Sequence, residues 1–297
     1  MSILKDVSLG HHYFKIAKML REAMFTNAML FSSSAWYNLS EQNLRTLELV
    51  DESLLRQVLG AHSKTPLEAL YLEMGCQPLR FNLMSRRVNY LHYLLNLKED
   101  NLLFKVFQAQ LNNPVKGDWV LTVIDDLKTL NITSNFDEIA KMKKYAIKKM
   151  VKEKVKEASR KYLLTFKLKH SKMENLNYRK LETQLYLTSS NIYPKVAKDI
   201  FKWRTRMQNF RLNFKNGSDN VLCPLGCQHE DSQENFLKCD VLKLHLPEIA
   251  TTNCSYMDIF SNNPTKMKNI ATLLNKAFKI RESLIETSQA KQMQTPE

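Results

Sequence analysis

Only six glycines and eight prolines punctuate 297 residues. Sheet-building chains place these residues in the tight turns between strands, so their scarcity leaves long helices joined by short connections. Leu, Lys and Met, which favour helix, fill the intervals. The fold class expected is therefore all-α, and a hydrophobic content of 44% is enough to bury substantial cores.

Helix ends are well marked in the first part of the chain. Ser40 is placed to cap a helix that stops at Gly60, and Leu44, Leu47, Val50, Leu54 and Val58 give that helix a three-and-four apolar stripe. Thr65-Pro66-Leu67-Glu68 reads as a capping box with proline at the first helical position, and Gly75 ends the helix it begins. Pro78 starts the next, where His92 lies on an apolar face with Val88, Leu91, Leu94 and Leu95 and reads as a packed core histidine. A turn at 113–119 precedes another short helix.

Two basic helices follow. The pattern predicts one long helix over 136–169, with Ile147, Val151, Val155, Ala158 and Tyr162 on a single face and Lys141, Lys143, Lys144, Lys148, Lys149, Lys152, Lys154, Lys156, Arg160 and Lys161 around it. A second helix is expected over 194–214, its stripe formed by Val196, Ile200, Trp203, Met207 and Phe210. Lys195, Lys198, Lys202, Arg204, Arg206 and Arg211 lie off that stripe, where they would meet phosphates. The last helix is expected to begin at Asn263-Pro264 and run through Ile280, with a disordered tail from Ser288 onward.

The formal net charge of +14 is concentrated. Residues 131–220 carry 22 Lys and Arg against 8 Asp and Glu, whereas 1–130 carry 14 against 13 and 221–297 carry 8 against 9. Localised excess of this kind is the footprint of a polyanion-binding surface. It also suggests four regions: helices over 1–130, a basic helical region over 131–216, a cysteine-rich module over 217–250, and a C-terminal helix with tail over 251–297. The opening residues lack the apolar core of a secretory signal, and no run approaches the ~20 apolar residues of a membrane span. An intracellular protein of the nucleus, the cytoplasm or both is expected, with no membrane partner.

Three of the five cysteines, Cys223, Cys227 and Cys239, cluster within a short stretch. In a reducing compartment such clustered thiols suit a metal better than a disulfide, and zinc is the cofactor expected. Cys76 and Cys254 stand apart and read as buried small hydrophobes. No P-loop, dinucleotide fingerprint, GxSxG elbow or His-Glu-x-x-His helix occurs. Asp125-Asp126 is the one pair of adjacent carboxylates with the look of a metal site, and it falls in an ordinary amphipathic helix. No catalytic residue is expected.

Several segments resemble one family. They are 65–81 (Thr-Pro-Leu-Glu-Ala-Leu-Tyr-Leu-Glu-Met-Gly-Cys-Gln-Pro-Leu-Arg-Phe), 84–95 (Met-Ser-Arg-Arg-Val-Asn-Tyr-Leu-His-Tyr-Leu-Leu), 113–119 (Asn-Pro-Val-Lys-Gly-Asp-Trp) and 203–207 (Trp-Arg-Thr-Arg-Met). Together with the cysteine cluster they resemble the region downstream of the polymerase palm in LINE-like, non-LTR retrotransposon reverse transcriptase polyproteins. The resemblance extends over most of 8–245. It implies thumb-like and linking helices in the first region, then basic helices and a zinc knuckle that help to hold template RNA or target DNA. The palm with its Ala-Asp-Asp motif and the endonuclease of such polyproteins are not among these residues, so a non-catalytic piece is implied.

The family's knuckle carries a Cys-Cys-His-Cys set. Cys223, Cys227 and Cys239 match it, but Asn235 stands where the histidine falls, and an amide is a poor zinc ligand. Three readings stay open: His229 or His245 supplies the fourth ligand, water or another group completes the site, or zinc binding is lost. The nucleic-acid contacts expected are Lys143, Lys144, Lys148, Lys149, Lys152, Lys198, Lys202, Arg204, Arg206 and Arg211. The alternative is a helical assembly module whose basic faces meet an acidic protein partner.

Overall fold

The computed structural model describes residues 10–166, 170–176, 178–214, 221–251 and 255–293. The opening residues 1–9, the expected helix end at Lys169, Lys215, the loop 216–220, Cys254 and the last four residues lie outside the described residues. Among the described residues the chain is all-α, and the one extended pairing is a single antiparallel bridge between Leu222 and Glu230. No helix among them is long and apolar enough to cross a membrane.

A π-turn over Arg21–Phe25 joins α1 (Tyr13–Leu20) to α2 (Thr26–Met29). There follow α3 (Glu41–Leu59), α4 (Leu67–Met74), α5 (Leu79–Leu95), α6 (Leu102–Asn112), α7 (Trp119–Thr129), α8 (Phe136–Lys141) and α9 (Lys144–Thr165). The second half holds α10 (Leu185–Thr188), α11 (Pro194–Arg204), α12 (Gln233–Phe236), α13 (Asp240–His245), α14 (Glu248–Thr251) and α15 (Pro264–Met293).

Local signals set several ends. Ser40 Oγ accepts from Asn43 N at 3.1 Å, and Gly60 closes α3 with φ 61°. Leu44, Leu47, Leu54 and Val58 of the α3 stripe face inward as expected, and one member departs. Val50 is 47% exposed, and its neighbours Asp51 and Glu52 turn inward instead. Pro66 rather than Thr65 occupies the N-cap of α4, so no capping box forms and the buried Thr65 hydroxyl has no hydrogen-bond partner. His92 packs as expected and its Nε2 meets the Met142 carbonyl at 2.8 Å.

That contact coincides with a break in the expected long helix. Met142 adopts an extended conformation, with ψ 139°, between α8 and α9. The second basic helix is also shorter than expected. Arg206 takes a left-handed conformation at φ 54°, and Arg206 N and Met207 N donate to Trp203 O and Lys202 O. This Schellman pattern ends α11 at Arg204 without the usual glycine. At the other end of the chain α15 continues to Met293, so residues 288–293, expected in a disordered tail, are helical.

Two main cores form. One lies among α5 to α9, around Val88, Leu91, Trp119, Val123, Val151 and Val155. The other joins α1, α3, α4, α10, α11, the cysteine segment and α15 around Tyr71, Trp203, Phe236 and Leu274. This second core draws on all four regions outlined by composition, so buried side chains run across the boundaries at 130/131 and 216/217.

The polar centre of the second core is Glu73, which is 0% exposed. Its carboxylate accepts from Arg204 Nε at 2.8 Å, Tyr178 Oη at 2.8 Å and Tyr186 Oη at 3.0 Å. Arg204 Nη1 continues to the Ile259 carbonyl at 3.0 Å. Burial pulls the Arg204 pKa down, but Glu73 and the two phenols more than offset this and hold it above its ordinary value. Burial first, and then Glu73, push both tyrosines well above theirs. Gly75 lets the 182–183 backbone close over this centre: a Cβ there would lie 2.2 Å from the Glu182 carbonyl carbon, and its φ of +60° favours glycine.

Removing one partner of such a pair leaves a charge buried without compensation. Arg204→Met is therefore expected to destabilise the protein by about 3–5 kcal/mol. Denaturant unfolding measures this, and a midpoint equal to that of the unchanged protein would contradict the placement of Arg204.

Candidate metal centre and basic surface

The segment 221–231 folds back on itself as a small hairpin. Cys223 N donates to His229 O at 2.9 Å and Asp231 N to Val221 O at 2.7 Å, while Gly226 makes the turn with φ +84°. This places Cys223 and Cys227 on one loop. Ser232 then caps α12 by accepting from Asn235 N, and Cys239 sits at the N-cap of α13. The three sulfurs lie within 4.8 Å of one another. Tetrahedral zinc–thiolate bonds of ~2.3 Å place sulfurs about 3.8 Å apart, so the donor set and its spacing suit such an ion.

The cysteines line a cavity of about 10 Å³, the scale of one ion or one water. His229 and Asn235 line it as well, although the His229 ring nitrogens are not part of the converging group. His245 is exposed in the last turn of α13 and does not line it. The Asn235 side-chain oxygen accepts from Lys238 Nζ at 3.3 Å. The proximity is thus three thiols from two chain segments, with His229 nearer at hand than His245.

The module is anchored by contacts that sequence reasoning did not find. Asp231 receives two hydrogen bonds from Arg281 Nη2 of α15, both at 2.7 Å, and its Oδ2 also accepts from Arg211 N. The Arg281 guanidinium lies 5.0 Å from the Phe210 ring centroid. Phe236, between the second and third cysteines, stacks on Trp203 at 5.9 Å and meets Phe210 edge-on at 5.2 Å. Asp231 and Arg281 are fifty positions apart, and no local signal links them.

The basic residues divide into two groups. Lys143, Lys144, Lys148, Lys149 and Lys152 are exposed, as is Lys156. Lys152 and Lys156 line an open groove with Lys18 and Arg21. There the Lys18 ammonium already donates to Met74 O, Gly75 O and Thr183 Oγ1, and Arg21 is locked to Asp51. On and after α11 the outcome differs. Arg204, expected to touch phosphate, is buried on Glu73, because the helix turns that side into the core. Arg206 pairs with Glu234 at 2.6 Å, Arg211 is exposed and donates to Leu222 O, Lys202 is half-buried, and Lys198 lies 4.9 Å above the Tyr13 ring.

Asp125 and Asp126 diverge. Asp126 is buried against Arg87, with contacts of 2.5 and 2.8 Å, while Asp125 faces outward toward Lys128. They do not form a two-metal site. Comparison with known proteins gives no match to a family model, a curated protein or a solved structure.

Burial, together with the neighbouring thiols, pushes Cys223 up to about 12 from an ordinary 9.0, and burial raises Cys239 as well. The unfolded chain therefore releases these protons first as pH rises, and folding stability is lost across that interval. Metal-free protein is expected to show a falling denaturation midpoint above about pH 9, with a smaller fall in Cys223→Ser. Equal pH dependence in the two would contradict a half-buried Cys223 thiol held protonated.

Proposed function

We propose that this chain binds nucleic acid through the exposed lysine face of α9, with zinc held by Cys223, Cys227 and Cys239 in a knuckle-like module. One observation carries the reading. Among the described residues, the only carboxylate paired with a basic side chain of α9 is Glu157, which takes Lys161 at 2.8 Å. The remaining lysines of the helix present charge to solvent. Only two acids, Glu153 and Glu157, stand among the eight Lys and Arg of α9; a helix that needed only solubility would interleave more, since each such pair stabilises an isolated helix by about 0.2–0.5 kcal/mol.

The resemblance to the post-palm region of LINE-like reverse transcriptases supports the same reading and names template RNA or target DNA as the polyanion. The chain acts as a non-catalytic binding piece, and its contacts are with the phosphate backbone, because lysine is a flexible point charge without the planar fork that reads base edges. Arg204 has no part in the interface, and Arg206 is committed to Glu234.

His229 is the side chain best placed to complete the zinc site. Zinc raises the order of the hairpin and adds no positive charge to the interface, since three thiolates outweigh its +2 and leave the site at −1.

Replacing Lys148, Lys149, Lys152 and Lys156 with glutamine tests the interface. Binding to single-stranded RNA and to duplex DNA is measured across a salt series, with zinc content recorded for each protein. For the unchanged protein, affinity is expected to fall steeply with salt and to depend little on sequence. The variant is expected to lose roughly 0.7–0.9 of salt slope for each phosphate contact removed, with its fold intact. Wild-type affinity in the variant would overturn the α9 interface. Survival of a bound partner after nuclease treatment, with no nucleic acid binding at low salt, would favour an acidic protein partner instead.

A further inference from the structure

Phe214, ten residues past the end of α11, is half-buried and carries two cations from distant parts of the chain. Lys64 Nζ, in the connection between α3 and α4, lies 5.4 Å from its ring centroid. Lys172 Nζ, in the 3-10 turn Ser171–Met173 beyond α9, lies 4.7 Å from the same centroid. The His62 ring is tilted against the phenyl ring at 5.5 Å. Two distant segments thus converge on a single aromatic side chain of a third.

The two ammonium groups cannot be more than about 10 Å apart, since both are referred to one centroid. That bound is close to the Debye length of about 8 Å at physiological salt, so their repulsion is only partly screened and grows as salt falls. The Lys172 pKa is lowered by burial and, after that, by the charge of Lys64. No carboxylate among the described residues is within ion-pairing distance of either. The nearby acids are engaged elsewhere: Glu68 faces His170 at 3.9 Å, and Glu174 faces Arg206 at 3.5 Å.

The quadrupole of a phenyl ring attracts a surface cation by only about 0.5–1 kcal/mol, so Phe214 orients the ammoniums without neutralising them. His62 adds a donor. Its Nδ1 accepts from Lys64 N at 3.0 Å, which leaves Nε2 as the protonated nitrogen of the neutral ring. Two cations and one N–H donor around a common ring, with no anion among the described residues to satisfy them, match the oxygens of a phosphate group.

We propose that Lys64, Lys172 and His62, gathered on Phe214, form a phosphate-binding site whose occupant is a backbone phosphate of a bound nucleic-acid strand. The site rests on the nucleic-acid reading above and extends it beyond α9, because Lys172 lies only seven residues past the end of that helix. It adds contacts from the otherwise balanced N-terminal region, where Lys64 and His62 reside.

The full-length chain is tested with a labelled single-stranded RNA across a salt series. The proteins compared are the unchanged protein, Lys64→Gln/Lys172→Gln, Phe214→Leu, the four-lysine α9 variant, and a control with Lys105→Gln/Lys116→Gln on exposed positions elsewhere. The double variant is expected to bind about tenfold more weakly and to lose about 1.4 of salt slope, two contacts at ~0.7 each. Phe214→Leu is expected to weaken binding in the same direction while the control does not. A strand with neutral methylphosphonate linkages should bind the unchanged protein and the double variant alike.

Wild-type affinity and slope in the double variant, alongside lost binding in the α9 variant, would overturn this site and leave the α9 interface standing. No binding by the unchanged protein would overturn both. If the double variant lost binding only to a free nucleoside triphosphate and not to the strand, the occupant would be a free phosphate and the proposal would be wrong.

Discussion

Glu73 is the interaction on which the second core depends. A carboxylate at 0% exposure can persist only with partners, and it has three, drawn from positions 178, 186 and 204. Through Arg204 the same centre reaches the Ile259 carbonyl just ahead of α15. One acid therefore ties α4 to the 178–186 segment, to α11 and to the C-terminal part of the chain. Gly75, two residues on, allows the backbone approach that the closure requires. The cysteine module inherits its position from this arrangement, because Trp203 and Phe236, which hold it, pack in the same core.

A consistent division between the two basic residue types follows. Arg21, Arg80, Arg87, Arg204 and Arg281 meet Asp51, Glu48, Asp126, Glu73 and Asp231 in buried or half-buried pairs. Guanidinium groups suit this role, since their planar fork satisfies both carboxylate oxygens and is weakly hydrated. Lysines, strongly hydrated and flexible, remain on the outside of α9. Each of these arginines is matched by an acid, so the cationic excess that reaches solvent is largely lysine. A surface of that composition attracts phosphate broadly and discriminates little between sequences.

Features set by neighbouring residues were legible in the sequence. The all-α class, the Ser40 cap, the Gly60 and Gly75 stops, the start after Pro78 and the buried Ile200 and Trp203 of α11 all follow from local spacing, whereas Met207 and Phe210 are buried beyond the end of that helix, where helical spacing does not apply. The convergence of Cys223, Cys227 and Cys239 was legible for the same reason, since short loops can join them. Features set by distant contacts were not. Nothing near Met142 announces that His92 will take its carbonyl, and nothing near Arg206 marks a left-handed residue without glycine. Arg204 shares its off-stripe position with residues that stay on the surface, and only Glu73, 131 positions away, distinguishes it. The cluster at Phe214 likewise unites residues 62, 64 and 172, whose proximity no periodicity encodes.

The account turns on the exposed lysines of α9 being the surface that meets a polyanion. Acetylation of lysines in the free and RNA-bound protein, mapped by mass spectrometry, tests this most directly. Protection of Lys148, Lys149, Lys152 and Lys156 on binding, with Lys105 and Lys116 modified equally in both states, is the result predicted. Bound RNA that left the α9 lysines as reactive as in the free protein would contradict it.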